Sequence, residues 1–125
     1  MRLATALTAL ALLSGGTVIV GAGQLASKPA PDWIATLERP ERVAGLKIAY
    51  IISKLQLKPG EIVADIGAGP GVVSLPMAKA VAPGGKVYAE DIDQGFLDHI
   101  AIRAKEQNLR NVFPTLGTFT DPALP

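Results

Sequence analysis

Residues 63 to 71 read V-A-D-I-G-A-G-P-G, an apolar run that ends in Asp65 and breaks into glycines at alternate positions, Gly67, Gly69 and Gly71. A carboxylate at the end of a buried strand, followed by backbone with few Cβ atoms to shield it, makes a corner where a small molecule can lie against main-chain groups. The spacing narrows the chemistry. The pyrophosphate fingerprint G-x-G-x-x-G needs its third glycine three places after the second, and Val72 stands there. A second acidic group, Glu90-Asp91-Ile92-Asp93, follows roughly twenty residues after the glycines, where an acid at a strand end can accept both hydroxyls of a ribose. Strand alternation turns Glu90 the other way, and Asp93 is placed to cap the next helix, so Asp91 is the ribose candidate.

These residues need a scaffold, and the pattern around them supplies one. Asp32 is expected to cap a short helix over residues 33 to 38, and Pro40 suits the first turn of an amphipathic helix over residues 40 to 55. Lys58-Pro59-Gly60 ends that helix, and a first strand covers residues 61 to 66. After the glycine turn a helix over residues 72 to 81 stops at Ala82-Pro83-Gly84-Gly85, and a second strand spans residues 86 to 91. A helix over residues 95 to 108 lays Phe96, Leu97, Ile100, Ala101 and Ala104 on one stripe, and a third strand spans residues 112 to 116. The order is that of an α/β, Rossmann-like doubly wound parallel sheet with its first three strands present, preceded by N-terminal helices. In such a sheet the first strand is central, so a fourth strand is expected beside it, and the chain reads as the first half of a domain.

D-x-G-x-G-x-G in motif I, a P-G-G turn after the first crossover helix and an acidic pair ending the second strand are parts that run in order through residues 57 to 125. This series resembles the class I methyltransferases that use S-adenosylmethionine. The resemblance implies that cofactor, with Asp65, Gly67, Ala68, Gly69, Gly71, Asp91, Ile92 and Thr118 as the binding set. In it, Gly67 and Gly69 border the methionine end, Asp65 holds the amino group directly or through water, and Ile92 flanks the adenine. The charge logic agrees, because a carboxylate favours both the ammonium and the sulfonium. Many members carry an acid after glycine beyond the third strand, where this chain has Gly117-Thr118; the threonine hydroxyl can still accept a hydrogen bond, and Asp121 is close in sequence. The implied reaction is in-line displacement of the methyl group by an acceptor nucleophile, and no catalytic residue falls within these residues. The alternatives are an NAD(P)- or FAD-binding oxidoreductase, which Val72 disfavours, and a non-catalytic remnant that binds S-adenosylmethionine without turnover.

Composition sets outer limits. The 125 residues carry 12 basic and 11 acidic side chains, a net charge of +1, with neither sign in a run, so no nucleic-acid partner is expected and the methyl acceptor is a small molecule or protein. With no cysteine, disulfides, thiolate metal sites, a catalytic thiol and a lipoprotein anchor are all excluded, and no metal site is expected. Residues 3 to 23 hold no charge and follow Met1-Arg2, which reads as an export signal cleaved near Gly21-Ala22-Gly23, or as an uncleaved membrane anchor. The organisation is therefore residues 1 to 27 as signal or anchor, 28 to 56 as N-terminal helices, and 57 to 125 as the first half of the cofactor domain. That places the protein outside the cytoplasm or on its membrane, or in the cytoplasm if the leader is a misassigned start. His99, the one histidine, reads as a surface or half-buried helix residue without a catalytic role. Trp33 reads as a packing anchor and Arg39 and Arg42 as solvated charges, with part of a lid over the cofactor pocket as the alternative.

Overall fold

Proline placement starts the fold. The computed structural model describes residues 29–125, and the expected signal segment, residues 1 to 27, lies outside them. Helix α1 (Ala30–Leu37) holds Pro31 in its first turn, where a missing N–H costs nothing, and so begins ahead of the expected start. Asp32 therefore does not cap it. No side chain caps this helix, and Asp32 lies within the first turn, where a negative charge meets the positive end of the helix dipole.

The helix expected over residues 40 to 55 is two helices, α2 (Pro40–Leu46) and α3 (Ile48–Leu55), separated by Lys47 in the left-handed region at φ 51°. The continuous apolar periodicity was a correct reading of local preference, but the two halves have different partners. Ile52 of α3 packs on the core, while Val43 and Ala44 of α2 line a groove with Pro70 of the glycine turn. A change of axis at Lys47 lets each half meet its own partner, at the local cost of a left-handed residue.

The rest follows the pattern closely: strand β1 (Ile62–Ile66), helix α4 (Ser74–Ala80), strand β2 (Lys86–Asp91), helix α5 (Gln94–Glu106) and strand β3 (Val112–Leu116). Asp93 caps α5 by accepting from the Gly95 N–H at 2.8 Å. α4 is shorter than expected because Val72 and Val73 belong to the turn that precedes it.

The three strands are parallel in the order β1-β2-β3, with Val63, Val87 and Val112 in one row. Alternation puts Val87 and Ala89 on the same face, and both are fully buried there, Val87 against Met77 and Ala78 of α4 and its C-cap Val81, and Ala89 against Leu97 and Ile100 of α5. Both helices thus cover one side of the sheet. The other side carries Ile62 and Ile66, 65% and 59% exposed, beside the Tyr88 and Phe113 rings, whose centroids are 5.5 Å apart. Among the described residues β1 has β2 as its neighbour on one side and forms the sheet edge on the other. No described helix is long and apolar enough to cross a membrane.

Candidate functional site

The chemistry gathers where β1 and β2 end. After Ile66 the chain turns through Gly67, Ala68 and Gly69, with Gly69 at φ 54°, a conformation that side chains with a Cβ adopt at a cost. A Cβ at Gly67 would meet nothing within 4 Å, and one at Gly69 would meet only Leu37 Cδ1, at 3.7 Å. This backbone is bare toward a cleft. The turn is held from β2: the Ala68 N–H donates to the Glu90 carbonyl at 2.8 Å and the Gly69 N–H to Asp91 Oδ2 at 2.8 Å. Asp91 Oδ1 accepts from the Asp93 N–H at 3.0 Å, so one carboxylate fixes both the glycine turn and the entry to α5.

Glu90 also holds the turn. It does point to the opposite face from Asp91, yet it is buried, and its Oε2 accepts from the Gly67 N–H at 3.2 Å. Its other oxygen packs against Gly117, where a Cβ would overlap it. A buried acid in a strand was the available signal, since such a group needs a donor close by.

Asp65 points toward the helices, and its Oδ2 accepts from the Ser74 hydroxyl at 2.6 Å. Burial pushes its carboxyl above the usual aspartate range, the Ser74 hydrogen bond pulls it back, and the charge of Asp91 pushes it up again. Ser74, fully buried at the start of α4, has no counterpart in the sequence reading, although a hydroxyl one helix turn beyond a glycine loop is a usable cue.

Two cavities flank the glycine turn. One of about 290 Å³ is lined by Asp65, by Gly67 to Pro70, Val72 and Val73, and by Leu37, Arg42 and Leu46 from the N-terminal helices. The other, of about 400 Å³, is lined by Gly67, Glu90, Asp91 and Ile92, and by residues 118 to 122. Thr118 is in that wall, but its hydroxyl is taken up locally, accepting from the Asp121 N–H at 3.0 Å. Gly71 faces neither cavity. It is buried against Ile100, where a Cβ would lie 2.8 Å from Cγ1, so packing requires glycine there, as does its φ of 82°. A larger groove of about 570 Å³ between α2, α4 and α5 includes none of the strand-end carboxylates in its walls. His99 is half-buried on α5, with Nε2 2.9 Å from Glu38 Oε1, away from both cavities.

A parallel sheet whose first two strands end in carboxylates on either side of a bare glycine turn is Rossmann-like, the fold of S-adenosylmethionine-dependent methyltransferases. The chain belongs to the family described as the tRNA methyltransferase complex GCD14 subunit, which it matches over residues 26–115. It is 40% identical over 68 residues to nocamycin O-methyltransferase of Saccharothrix syringae, covering 54% of this chain and 24% of that protein. It is 29% identical over 97 residues to an uncharacterized 37.1 kDa protein in transposon TN4556 of Streptomyces fradiae, covering 76% of this chain and 28% of that one. Among solved structures, a SAM-dependent methyltransferase from Aquifex aeolicus superposes with a TM-score of 0.69 at 28% identity, over 78% of this chain and 52% of that one. Coclaurine N-methyltransferase, bound to N-methylheliamine and S-adenosylhomocysteine, shares the fold at a TM-score of 0.63 and 19% identity, over 78% of this chain and 32% of that one. The chain spans about a quarter of the length of the curated relatives it matches. The oxidoreductase alternative gains no support from these relatives.

Proposed function

We propose that this chain binds S-adenosylmethionine across the ends of β1 and β2 and serves methyl transfer to an acceptor that these residues do not specify. The observation that carries the reading is the bare Gly67 to Gly69 backbone with a cavity on each side, one containing Asp65 and the other Asp91. Such a cleft suits an elongated ligand with a cation at one end and a ribose toward the other. Asp65 is the partner for the ammonium, Asp91 retains acceptor capacity for ribose hydroxyls beyond its two backbone bonds, and Ile92 offers an apolar wall for adenine. Gly71 is left out of this set, and with Thr118 bound to its own turn, Asp121 is the better acceptor for the adenine amine. When bound, the cofactor supplies an electrophilic methyl group, and the chain's own part is to align it and exclude water. Calorimetry tests this: S-adenosylmethionine and S-adenosylhomocysteine should bind, NADH should not, and Gly69→Val should abolish binding. NADH binding in preference to both would overturn the reading.

The relatives differ in acceptor, since the family description names a tRNA methyltransferase complex and one relative is named for nocamycin. A net charge of +1 without a basic run supports a small-molecule or protein acceptor over a nucleic acid. Tight, salt-dependent binding of tRNA would overturn that choice.

Export is a further part of the proposal, supported by the uncharged leader at residues 3 to 23. Fusing residues 1 to 27 to a reporter active only outside the cytoplasm should yield signal, and a silent reporter would remove this part.

A further inference from the structure

Resting on the reading of the cleft as an S-adenosylmethionine site, we propose that Arg42 binds the α-carboxylate of the cofactor's methionine end. Asp65 and Arg42 then hold an amino-acid zwitterion between opposite charges. The two side chains line the same cavity of about 290 Å³ from different walls, Asp65 from β1 and Arg42 from α2. Arg42 is the one cation among the residues that line it.

Charge makes such a group necessary. Asp65, Glu90 and Asp91 surround the glycine turn, and among the described residues none of them is in an ion pair. A ligand carboxylate brought into that field would be repelled unless a cation met it. Asp65 can answer only the ammonium.

The geometry of Arg42 suits the task. Its Nη1 donates to the Leu37 carbonyl at 2.7 Å, which ties the guanidinium to the end of α1 and leaves most of its five donors for a ligand. Among the described residues it is in no ion pair, since Glu38, at the end of α1, is engaged with His99. Arg42 is exposed, so its guanidinium can reach a ligand in the cavity that it lines with Leu37 and Leu46. The break at Lys47 brings this about, because it frees α2 from the axis of α3 and lets it lie over the glycine turn.

Decarboxylated S-adenosylmethionine keeps the ammonium and sulfonium and lacks only the carboxylate, so it isolates this contact. Calorimetry with both ligands on the wild type, Arg42→Gln and Arg42→Lys is the test. Gln keeps an N–H donor for the Leu37 carbonyl and Lys keeps the charge. Arg42→Gln should weaken S-adenosylmethionine by about tenfold or more, as loss of a charge-assisted contact does, and leave the decarboxylated ligand within about twofold. Arg42→Lys should fall between the wild type and Arg42→Gln. Equal weakening of both ligands, or no weakening of either, overturns the role of Arg42 while the cofactor reading stands. A wild type that binds neither ligand overturns the cofactor reading and this role with it.

Discussion

The Ser74 hydroxyl donates to Asp65 Oδ2 at 2.6 Å, and this bond opposes the burial that raises the carboxyl above the usual aspartate range. Ser74 is itself fully buried, so water cannot take its place. In Ser74→Ala the Asp65 carboxyl moves still further above its usual range. Cofactor affinity falls as pH is lowered and Asp65 takes up its proton; in the variant that fall should begin at higher pH, while Ser74→Thr keeps the wild-type profile. Titrations of S-adenosylhomocysteine from acid to neutral pH check this, and coincident profiles for wild type and Ser74→Ala would count against it.

Asp65 should also carry a stability cost that function requires. Its folded pKa lies above the usual value, so between the two the folded state holds more protons than the unfolded state, and stability falls as pH rises through that interval. Asp65→Asn removes the cost and keeps an oxygen for Ser74. Its thermal midpoint should exceed that of the wild type at neutral pH, the gap should close once pH falls below the ordinary aspartate range, and the variant should fail to bind cofactor. A midpoint below wild type at neutral pH would show that the ionised carboxylate stabilises the fold.

Asp91 holds the turn as well as facing the ribose side of the cleft, with Oδ2 on the Gly69 N–H and Oδ1 on the Asp93 N–H. Asp91→Ala frees both donors, and each charge-assisted bond is worth about 1.5 to 3 kcal/mol, so unfolding in urea should show a loss of about 2 kcal/mol or more. Asp91→Asn, which keeps one acceptor oxygen, should lose less. An unfolding midpoint unchanged in Asp91→Ala would reduce the residue to a ligand contact.

Gly69 and Gly71 are alike in sequence and should respond to alanine by different amounts in stability and in affinity. At Gly71 the new Cβ would press on Ile100, which is fully buried and cannot yield, so stability should drop by about 2 kcal/mol or more. At Gly69 the Cβ finds room, and the backbone at φ 54° costs about 1 kcal/mol, with the larger loss expected in cofactor affinity. Thermal melts paired with calorimetry separate the two effects.

Local signals carried a large share of this structure. The turn residues before β1 and β2, the cap at Asp93, the strand at Lys86–Asp91 and the bare glycine backbone were all legible, because each depends on conformational preferences within a few residues. Asp65 and Asp91 were legible as a pair for the same reason, since a strand end beside a helix start dictates where its last side chains stand.

What sequence periodicity could not decide was set by partners distant along the chain. The apolar stripe over residues 40 to 55 fits one helix, and only the separate demands of the core on Ile52 and of the glycine turn on α2 explain the left-handed Lys47. Glu90 leaves by the face opposite Asp91, as alternation requires, and only the backbone curling past the strand end offers it the Gly67 N–H. Gly71 looks like a third cofactor glycine until Ile100 of α5 is placed against it. Arg42 is a charged residue on an amphipathic helix until the fold puts it in the lining of one cavity with Asp65. Each of these depends on which surfaces close-packed elements must share, and spacing along the chain carries no record of that.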